Sequence, residues 1–446
     1  MTEIKLGKKL GNIKPMHGVG QPPFVGINFS YVKYLKDAGI PFSRLHDVGG
    51  WYGANMYVDI PNLFRDFSAD PSDPESYDFA FTDILMKALD DNGVEPFFRL
   101  GVTIENNVEI RQYRLDPPAD PLKWAKICEG VIRHYTQGWA NGFFYKIRYW
   151  EIWNEPDNAP DMMKNPMWRG TPEQYYELYD VSARYLKEKF PELKIGGYAS
   201  CGFYSIIESA DRSEETKRRF DYFLDFFNGF LDYIKKTGAP LDFFSWHSYD
   251  NIDNTKAYAG YCRRRLDEAG YTETETFCNE WNHNEAAWRG TVSHAAYIEG
   301  MMLAMQDCPL DGAMFYDARI GTSIYGSLFS PLTFKPFPAY YAFTFYNELY
   351  KRGTQVEITS PVQDGVYAVA AEDEDSVAVV LSNMTPETIT VKADIIPEKV
   401  LTLSPNGEPT RVWYSGGHTF AGLAFESTSM SVDPQNILLI VGRRAK

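Results

Sequence analysis

Two glutamates in this chain stand where paired carboxylates do chemistry. Glu155 lies in the run Tyr149-Trp150-Glu151-Ile152-Trp153-Asn154-Glu155-Pro156-Asp157-Asn158. β-Branched and aromatic residues from Ile147 to Trp153 predict a buried strand. Pro156 has no N–H and cannot continue it, so Glu155 falls at the strand's carboxyl end in a stiffened turn. Alone, such a run is equally an ordinary strand exit with a solvated glutamate. A second run, Phe277-Cys278-Asn279-Glu280-Trp281-Asn282, is another short apolar strand ending in a glutamate among aromatics. Two carboxylates on two strand ends suit glycoside hydrolysis, where one must be protonated and the other ionised. A separation of ~5–5.5 Å lets the ionised one attack the anomeric carbon directly. A neighbouring carboxylate and apolar walls raise the pKa of the acid. Trp150, Trp153 and Pro156 flank Glu155, and Phe277 and Trp281 flank Glu280.

Such a pair needs a scaffold that brings distant strand ends to one face. Strands are predicted near 15–20, 42–47, 95–103, 147–153, 194–199, 243–249, 275–280 and 312–317. Helical patterns lie between them, among them Phe79–Asp91, Pro121–Thr136, Pro172–Lys189 and Phe220–Lys236. Thr171-Pro172 before a helix, and Asn92-Gly93 or Gly238 after one, are the expected caps. Strands alternating with helices imply parallel βαβ units. Eight such units fit an α/β fold of the closed (β/α)₈ TIM-barrel type, whose active face is the carboxyl end of the strands. No Gly-x-Gly-x-x-Gly follows a strand, so a dinucleotide site is unsupported. From Gln355 the pattern changes to short alternating runs: Gly365–Ala371, Ser376–Ser382, Thr388–Val391, Val400–Ser404, Arg411–Tyr414 and Ile437–Val441. They predict a C-terminal antiparallel β-sandwich. The expected division is 1–12, an N-terminal strand pairing with the sandwich; 13–352, the barrel; and 353–446, the sandwich.

Trp153-Asn154-Glu155-Pro156 together with Asn279-Glu280-Trp281-Asn282 resembles the clan of retaining (β/α)₈ glycosidases. Within it the chain is most similar to glycoside hydrolase family 39, the family of β-xylosidases and α-L-iduronidases. The resemblance extends over nearly the whole chain. It implies that Glu155 is the acid/base and Glu280 the nucleophile, and that Asn154 donates to the sugar 2-hydroxyl; the plain alternative for Asn154 is an Asx turn. His247 and Tyr249, in Trp246-His247-Ser248-Tyr249, match the family's His-x-Tyr and share strand parity. The Tyr249 hydroxyl would then hold Glu280, unless it is simply a buried tyrosine finding an acceptor. Ser43-Arg44-Leu45-His46-Asp47 resembles the family's Arg-x-His. Arg44 would pair with a barrel carboxylate such as Glu280, or serve a structural ion pair, and His46 would contact sugar. Asp47 stands where relatives often have Gly, as site lining or as surface. Trp281 joins the expected substrate-binding set. Relatives usually place a Trp near the end of the eighth strand; here Tyr316 stands there, followed by Asp317-Ala318-Arg319. Asp317 and Arg319 would grip a polar substituent or pair with each other. Trp51, Trp168 and Trp288 are loop candidates for a stacking platform.

The resemblance implies a retaining exo-glycosidase, β-xylosidase-like, acting on short plant-type oligosaccharides. An α-L-arabinosidase, a β-glucosidase or another glycosidase specificity is the rival. The Asn-Glu-Trp-Asn motif and the acidic net charge speak against uronic acids. A catalytically silent sugar-binding barrel is a reading of another class, but both glutamates are present. Metal hydrolysis would need His46, Asp47, His247 and His283 to converge. No His-x-His follows the first strand, where Pro15-Met16-His17-Gly18 offers one histidine, so no metal or other cofactor is expected.

The 446 residues leave room for a barrel of typically ~250 residues and a smaller domain. Hydrophobic residues make up 44%, enough for a large core. A net charge of −16 argues against nucleic acid as partner. No stretch approaches the ~20 apolar residues of a membrane span. Five scattered cysteines with no Cys-x-x-Cys argue against a disulfide framework or structural zinc. The N-terminus lacks a signal-peptide core, so a cytoplasmic protein is expected. The expected partner is a glycoside or oligosaccharide substrate, and self-association into a homo-oligomer is left open.

Overall fold

The computed structural model describes all residues except 24, 27–28, 49–57, 105–114, 284–285, 321–324, 413–427 and 446. Eight parallel strands close into a barrel in chain order. They are β1 Gly18–Gly20, β2 Phe42–Leu45, β3 Glu95–Leu100, β4 Tyr149–Ile152, β5 Lys194–Ser200, β6 Phe243–Ser248, β7 Glu275–Trp281 and β8 Gly312–Phe315. The last pairs with the first, Met314 opposite Gly18 and Phe315 opposite Val19. All eight lie where the sequence pattern puts them. Around them run α1 Ala80–Asp91, α2 Pro121–Gln137, α3 Pro172–Lys189, α4 Glu214–Thr237, α5 Ile252–Ala269, α6 Val292–Gln306 and α7 Pro338–Arg352. Thr171 and Gln174 form a capping box at α3, with Pro172 in its first turn. α4 starts at Glu214 rather than Phe220, because Ser213 accepts from the Thr216 N–H and two glutamates favour the helix's positive end.

Strand alternation fills the barrel in layers. Phe42, Phe97, Tyr149, Phe243, Phe277 and Met314 form a buried cluster at the amino end. Tyr149 lies 5.1 Å from Phe97 and 5.0 Å from Phe277 between ring centroids. Two residues further along these strands the inward positions turn polar: Arg44, Arg99, Glu151, Ser245 and Asn279, all buried. The apolar floor closes one end, so the polar layer can face only the carboxyl mouth.

The remaining strands form a sandwich. A seven-stranded antiparallel sheet runs in the order Pro409–Arg411, Ile395–Leu403, Asn436–Arg444, Val377–Asn383, Val366–Glu372, Thr354–Ile358, Leu6–Asn12. A smaller sheet holds Thr2–Ile4, Ile389–Ala393 and Thr428–Val432. The N-terminal run thus makes two strands, one in each sheet. Tyr414, at the end of the expected 411–414 strand, lies outside the described residues. Val377–Asn383 is buried on both faces. Val379 and Leu381 join the sandwich core, whereas Ala378 and Val380 join the core of the barrel and its helices. The Ser382 hydroxyl donates to the Ala296 carbonyl on α6 at 2.6 Å. The sandwich is docked on the barrel by packed surface. Among the described residues no helix is long and apolar enough to cross a membrane.

Glu299 on α6 is fully buried, and among the described residues neither carboxyl oxygen has a hydrogen-bond partner. Burial pushes its pKa well above the ordinary value. The folded carboxyl therefore keeps a proton that the unfolded chain has lost above pH ~4.3, and each further pH unit costs ~1.4 kcal/mol until the folded group ionises. Glu299→Met should raise stability at pH 7 by about 1–3 kcal/mol, the cost of a buried polar group left without a hydrogen bond, with the gain shrinking toward pH 4. Urea unfolding of both proteins across that range measures it; a gain independent of pH would show that the carboxyl is not the cause.

Candidate active site

Glu155 is placed by a turn the backbone does not adopt freely. Trp153 and Glu155 have φ of 74° and 44°, a left-handed conformation that costs non-glycine residues about 1–3 kcal/mol each. Neighbours over-determine it. The Trp153 N–H donates to the Leu100 carbonyl at 2.8 Å and the Glu155 N–H to the Ala199 carbonyl at 3.0 Å. The Trp153 indole donates to the Met167 carbonyl at 2.9 Å. The turn sends Trp153 into the core beside Trp124 and Trp168 and leaves Asn154 and Glu155 lining the barrel mouth.

Glu280 is placed by a bulge. Trp246 pairs with Cys278 and His247 with Glu280, so Asn279 has no opposite residue. The extra residue lets both Asn279 and Glu280 point inward. Asn279 Nδ2 donates to Glu151 at 2.6 Å, and Glu280 reaches the cavity. The same bulge turns Trp281 outward, 1% exposed, against Phe315 at 5.2 Å. The expectation that Trp281 contacts substrate is therefore corrected.

The two glutamates and His247 form one cluster, with one ligating atom of each within 4.8 Å of the others. His247 Nδ1 is 2.8 Å from Glu155 Oε1, and its Nε2 is 3.6 Å from Glu280 Oε2. The Tyr249 hydroxyl donates to Glu280 Oε1 at 2.5 Å. Arg44 donates through Nη1 to Glu280 at 3.0 Å, through Nε to Glu151 at 2.8 Å and through Nη2 to Asn154 Oδ1 at 2.5 Å. Both readings of Arg44 therefore hold, and Glu151 is the structural partner. With Oδ1 taken, Asn154 presents its amide N–H to the cavity. Arg44 and His247 are themselves sealed, at 1% and 0% exposure, and act through the residues they hold rather than by contacting substrate as expected.

The electrostatics of the cluster differ from the simple expectation. Burial pushes Glu155 up, but the His247 hydrogen bond and charge and the Asn158 amide outweigh it, and the carboxyl ends below its ordinary value. Burial pushes the His247 imidazole down, but Glu280 and Glu155 outweigh that, and it ends raised. Burial holds Glu280 up against the pull of His247 and Arg44, and the Glu155 charge adds to it. Two carboxylates this close retain a proton between them. The lowered Glu155 and the raised His247 both favour the imidazole as the protonated partner of their hydrogen bond.

A cavity of about 580 Å³ opens over the cluster. On the Glu280 side it is lined by His46, Asp47, Tyr249, Tyr316 and Tyr325. Tyr316 donates to Asp47 at 2.6 Å, and Thr103 donates to the same carboxylate. Arg99 Nε donates to His46 Nδ1 at 3.2 Å, so the ring proton is on Nε2, facing Asp47 at 3.2 Å. Burial, Arg99 and Arg44 push the His46 pKa well down, and the ring is neutral. Asp317 is fully buried, accepts from the Arg319 N–H and guanidinium at 3.0–3.2 Å, and is not in the cavity wall. Its side chain is spent on its neighbour, which corrects its assignment as a sugar contact. Trp168 is buried, Trp288 stacks on His283 at 4.5 Å, and Trp51 lies outside the described residues.

The sequence reading missed Glu151, Asn158 and Arg219. Glu151 had a signal: it shares strand parity with Tyr149 and so must point into the barrel. Asn158 Nδ2 donates to Glu155 Oε2 at 2.7 Å, and Arg219 donates to the Asn158 carbonyl at 2.8 Å and to its Oδ1 at 2.9 Å. Arg219 comes from α4, and nothing local marks it.

Comparison with known proteins gives the family. The profile of Glycosyl hydrolases family 39 matches residues 50–316. A β-xylosidase of Caldicellulosiruptor saccharolyticus is 24% identical, over 93% of this chain and 87% of its own. One of Geobacillus stearothermophilus is 22% identical, over 75% of this chain and 67% of its own. The crystal structure of a glucosidase from Croceicoccus marinus superposes with a TM-score of 0.77 at 21% identity, covering 100% of this chain and 98% of that one. A profile that covers more than half of the chain, two glutamates facing one cavity and the barrel beneath them identify this protein as a glycoside hydrolase belonging to glycosyl hydrolase family 39.

Proposed function

We propose that the enzyme is a retaining exo-glycosidase that releases xylose-type residues from short plant-type oligosaccharides. The observation that supports the retaining mechanism is the approach of Glu155 and Glu280, one carboxyl oxygen of each lying within 4.8 Å of one of the other. Inverting enzymes keep ~6.5–9.5 Å between carboxyl groups to admit a water. The two curated relatives named as β-xylosidases support the sugar.

Glu280, oriented by Tyr249 and Arg44, attacks the anomeric carbon. Glu155 gives a proton to the departing glycosidic oxygen, and a glycosyl ester forms on Glu280. The His247 imidazole, one hydrogen bond away at 2.8 Å, supplies that proton to Glu155 as substrate binds. The Asn154 amide donates to the sugar 2-hydroxyl, a bond that strengthens as the oxocarbenium ion develops. Ester formation removes the Glu280 charge. Glu155 then accepts the proton of the incoming water, which splits the ester with a second inversion at the same carbon.

A panel of 4-nitrophenyl glycosides tests the sugar. The β-D-xyloside is expected to exceed the β-D-glucoside by about tenfold or more in kcat/KM, since a pocket closed around a pentose rejects the extra hydroxymethyl. Proton NMR of the first-formed sugar tests the mechanism: the β-anomer should appear before mutarotation, and the α-anomer would overturn retention.

A further inference from the structure

The cavity wall beside Glu155 carries two arginines that the catalytic cycle leaves unused. We propose that this wall is a leaving-group subsite for a carboxylate-bearing residue, held by Arg212 and Arg219. The proposal rests on the reading of Glu155 as the acid, because the acid marks the side on which the leaving group departs.

Arg212 and Arg219 line the same cavity as the two glutamates. Arg219 is tied through Nε and Nη2 to Asn158, which itself holds Glu155, so its guanidinium stands one residue from the acid. Arg212 spends Nη1 on the Ile207 carbonyl at 2.6 Å. Each guanidinium is braced over a ring, Arg212 over Phe220 at 5.1 Å and Arg219 over Phe223 at 5.4 Å. Phe220 is in turn stacked on Tyr204 at 4.7 Å. These contacts and hydrogen bonds hold a half-buried Arg212 and an exposed Arg219 at the cavity wall.

Neither arginine forms an ion pair among the described residues. Many other arginines are paired with carboxylates. The cavity's own acids are already satisfied. Asp250 accepts from the Asn251 N–H, Asn254 Nδ2 and the Tyr258 hydroxyl at 2.6–3.0 Å. Asp47 and Glu280 have the partners described above. A guanidinium has five donors in a planar fork matched to a carboxylate, and most of those on Arg212 and Arg219 remain to be used. Asp47, Glu155, Asp250 and Glu280 line the cavity as well, but each already accepts hydrogen bonds from its own neighbours. A hexuronic acid or a phenolic acid as leaving group supplies the matching charge.

Two substrate pairs test this, built on the glycon that the nitrophenyl panel selects. One pair is the 4-carboxyphenyl and 4-carbamoylphenyl glycosides; the other links the glycon to glucuronic acid or to glucose. Arg212→Gln should lower kcat/KM for the carboxylate member of at least one pair by about tenfold, as expected for one charge-assisted contact, and leave its neutral partner within about twofold. Which pair responds identifies the source of the carboxylate. Equal changes in both members, or none in either pair, overturn the proposal. Should the variant fail to fold, the wild type decides: raising NaCl from about 0.05 M to about 0.5 M should depress only the carboxylate members, and a flat response overturns the proposal. Wild-type enzyme that turns over no nitrophenyl glycoside at all would instead sink the glycosidase reading itself.

Discussion

Glu280→Ala is expected to abolish turnover of every glycoside, by on the order of 10⁵-fold in kcat, or ~7 kcal/mol of barrier. No other described group stands in its place. Arg44 and Tyr249 converge on the Glu280 carboxylate, which lines the cavity. Without it no glycosyl ester forms, whatever the leaving group, because acid assistance from Glu155 cannot replace a nucleophile. Azide added to this variant would attack from the vacated side and give at most an inverted glycosyl azide. Burst kinetics and NMR of the product read the result. A retained azide from Glu280→Ala would mean that the roles of the two glutamates are exchanged.

Glu155→Ala should fail in a different and diagnostic way. Loss of general acid and base costs about 10²–10⁴-fold where protonation matters, so a xylobiose-like substrate should fall by that factor. A dinitrophenyl glycoside leaves without a proton, and its first step should survive. The ester on Glu280 then accumulates, because nothing activates water, and a burst of dinitrophenolate should precede a slow steady state. Azide needs no base and should speed release, giving a retained glycosyl azide. Absence of both burst and retained azide would remove Glu155 from the acid/base role. The variant also strips His247 of one of its two carboxylates. The imidazole should then titrate at a lower pH than in the wild type, a shift visible by NMR of its ring protons.

Much of the fold was written locally. The short apolar runs and the Thr171, Asn92-Gly93 and Gly238 caps mark β1–β8 and the helices between them, because each signal is a neighbour effect within one turn or one strand. Glu155 and Glu280 were legible for the same reason, each at an apolar strand end beside a stop. The sandwich strand Thr428–Val432 was not: its residues, Thr-Ser-Met-Ser-Val, alternate too weakly, and its burial comes from Ile389–Ala393 alongside.

By itself the sequence determined which side chains reach the barrel mouth where strand parity holds: Arg44 and His46, then His247 and Tyr249. Residues two apart on an extended strand must share a face. What each of them does there was decided only by the tertiary structure. The bulge at Asn279 breaks parity, points Glu280 inward and sends Trp281 out. The left-handed turn at Trp153 and Glu155 is held by carbonyls of β3 and β5. The proton balance is set by His247, Glu155 and Glu280, which come from three different strands. Arg219 reaches Asn158 from α4. Each of these depends on distances across the barrel, and such distances exist only once the chain has closed on itself.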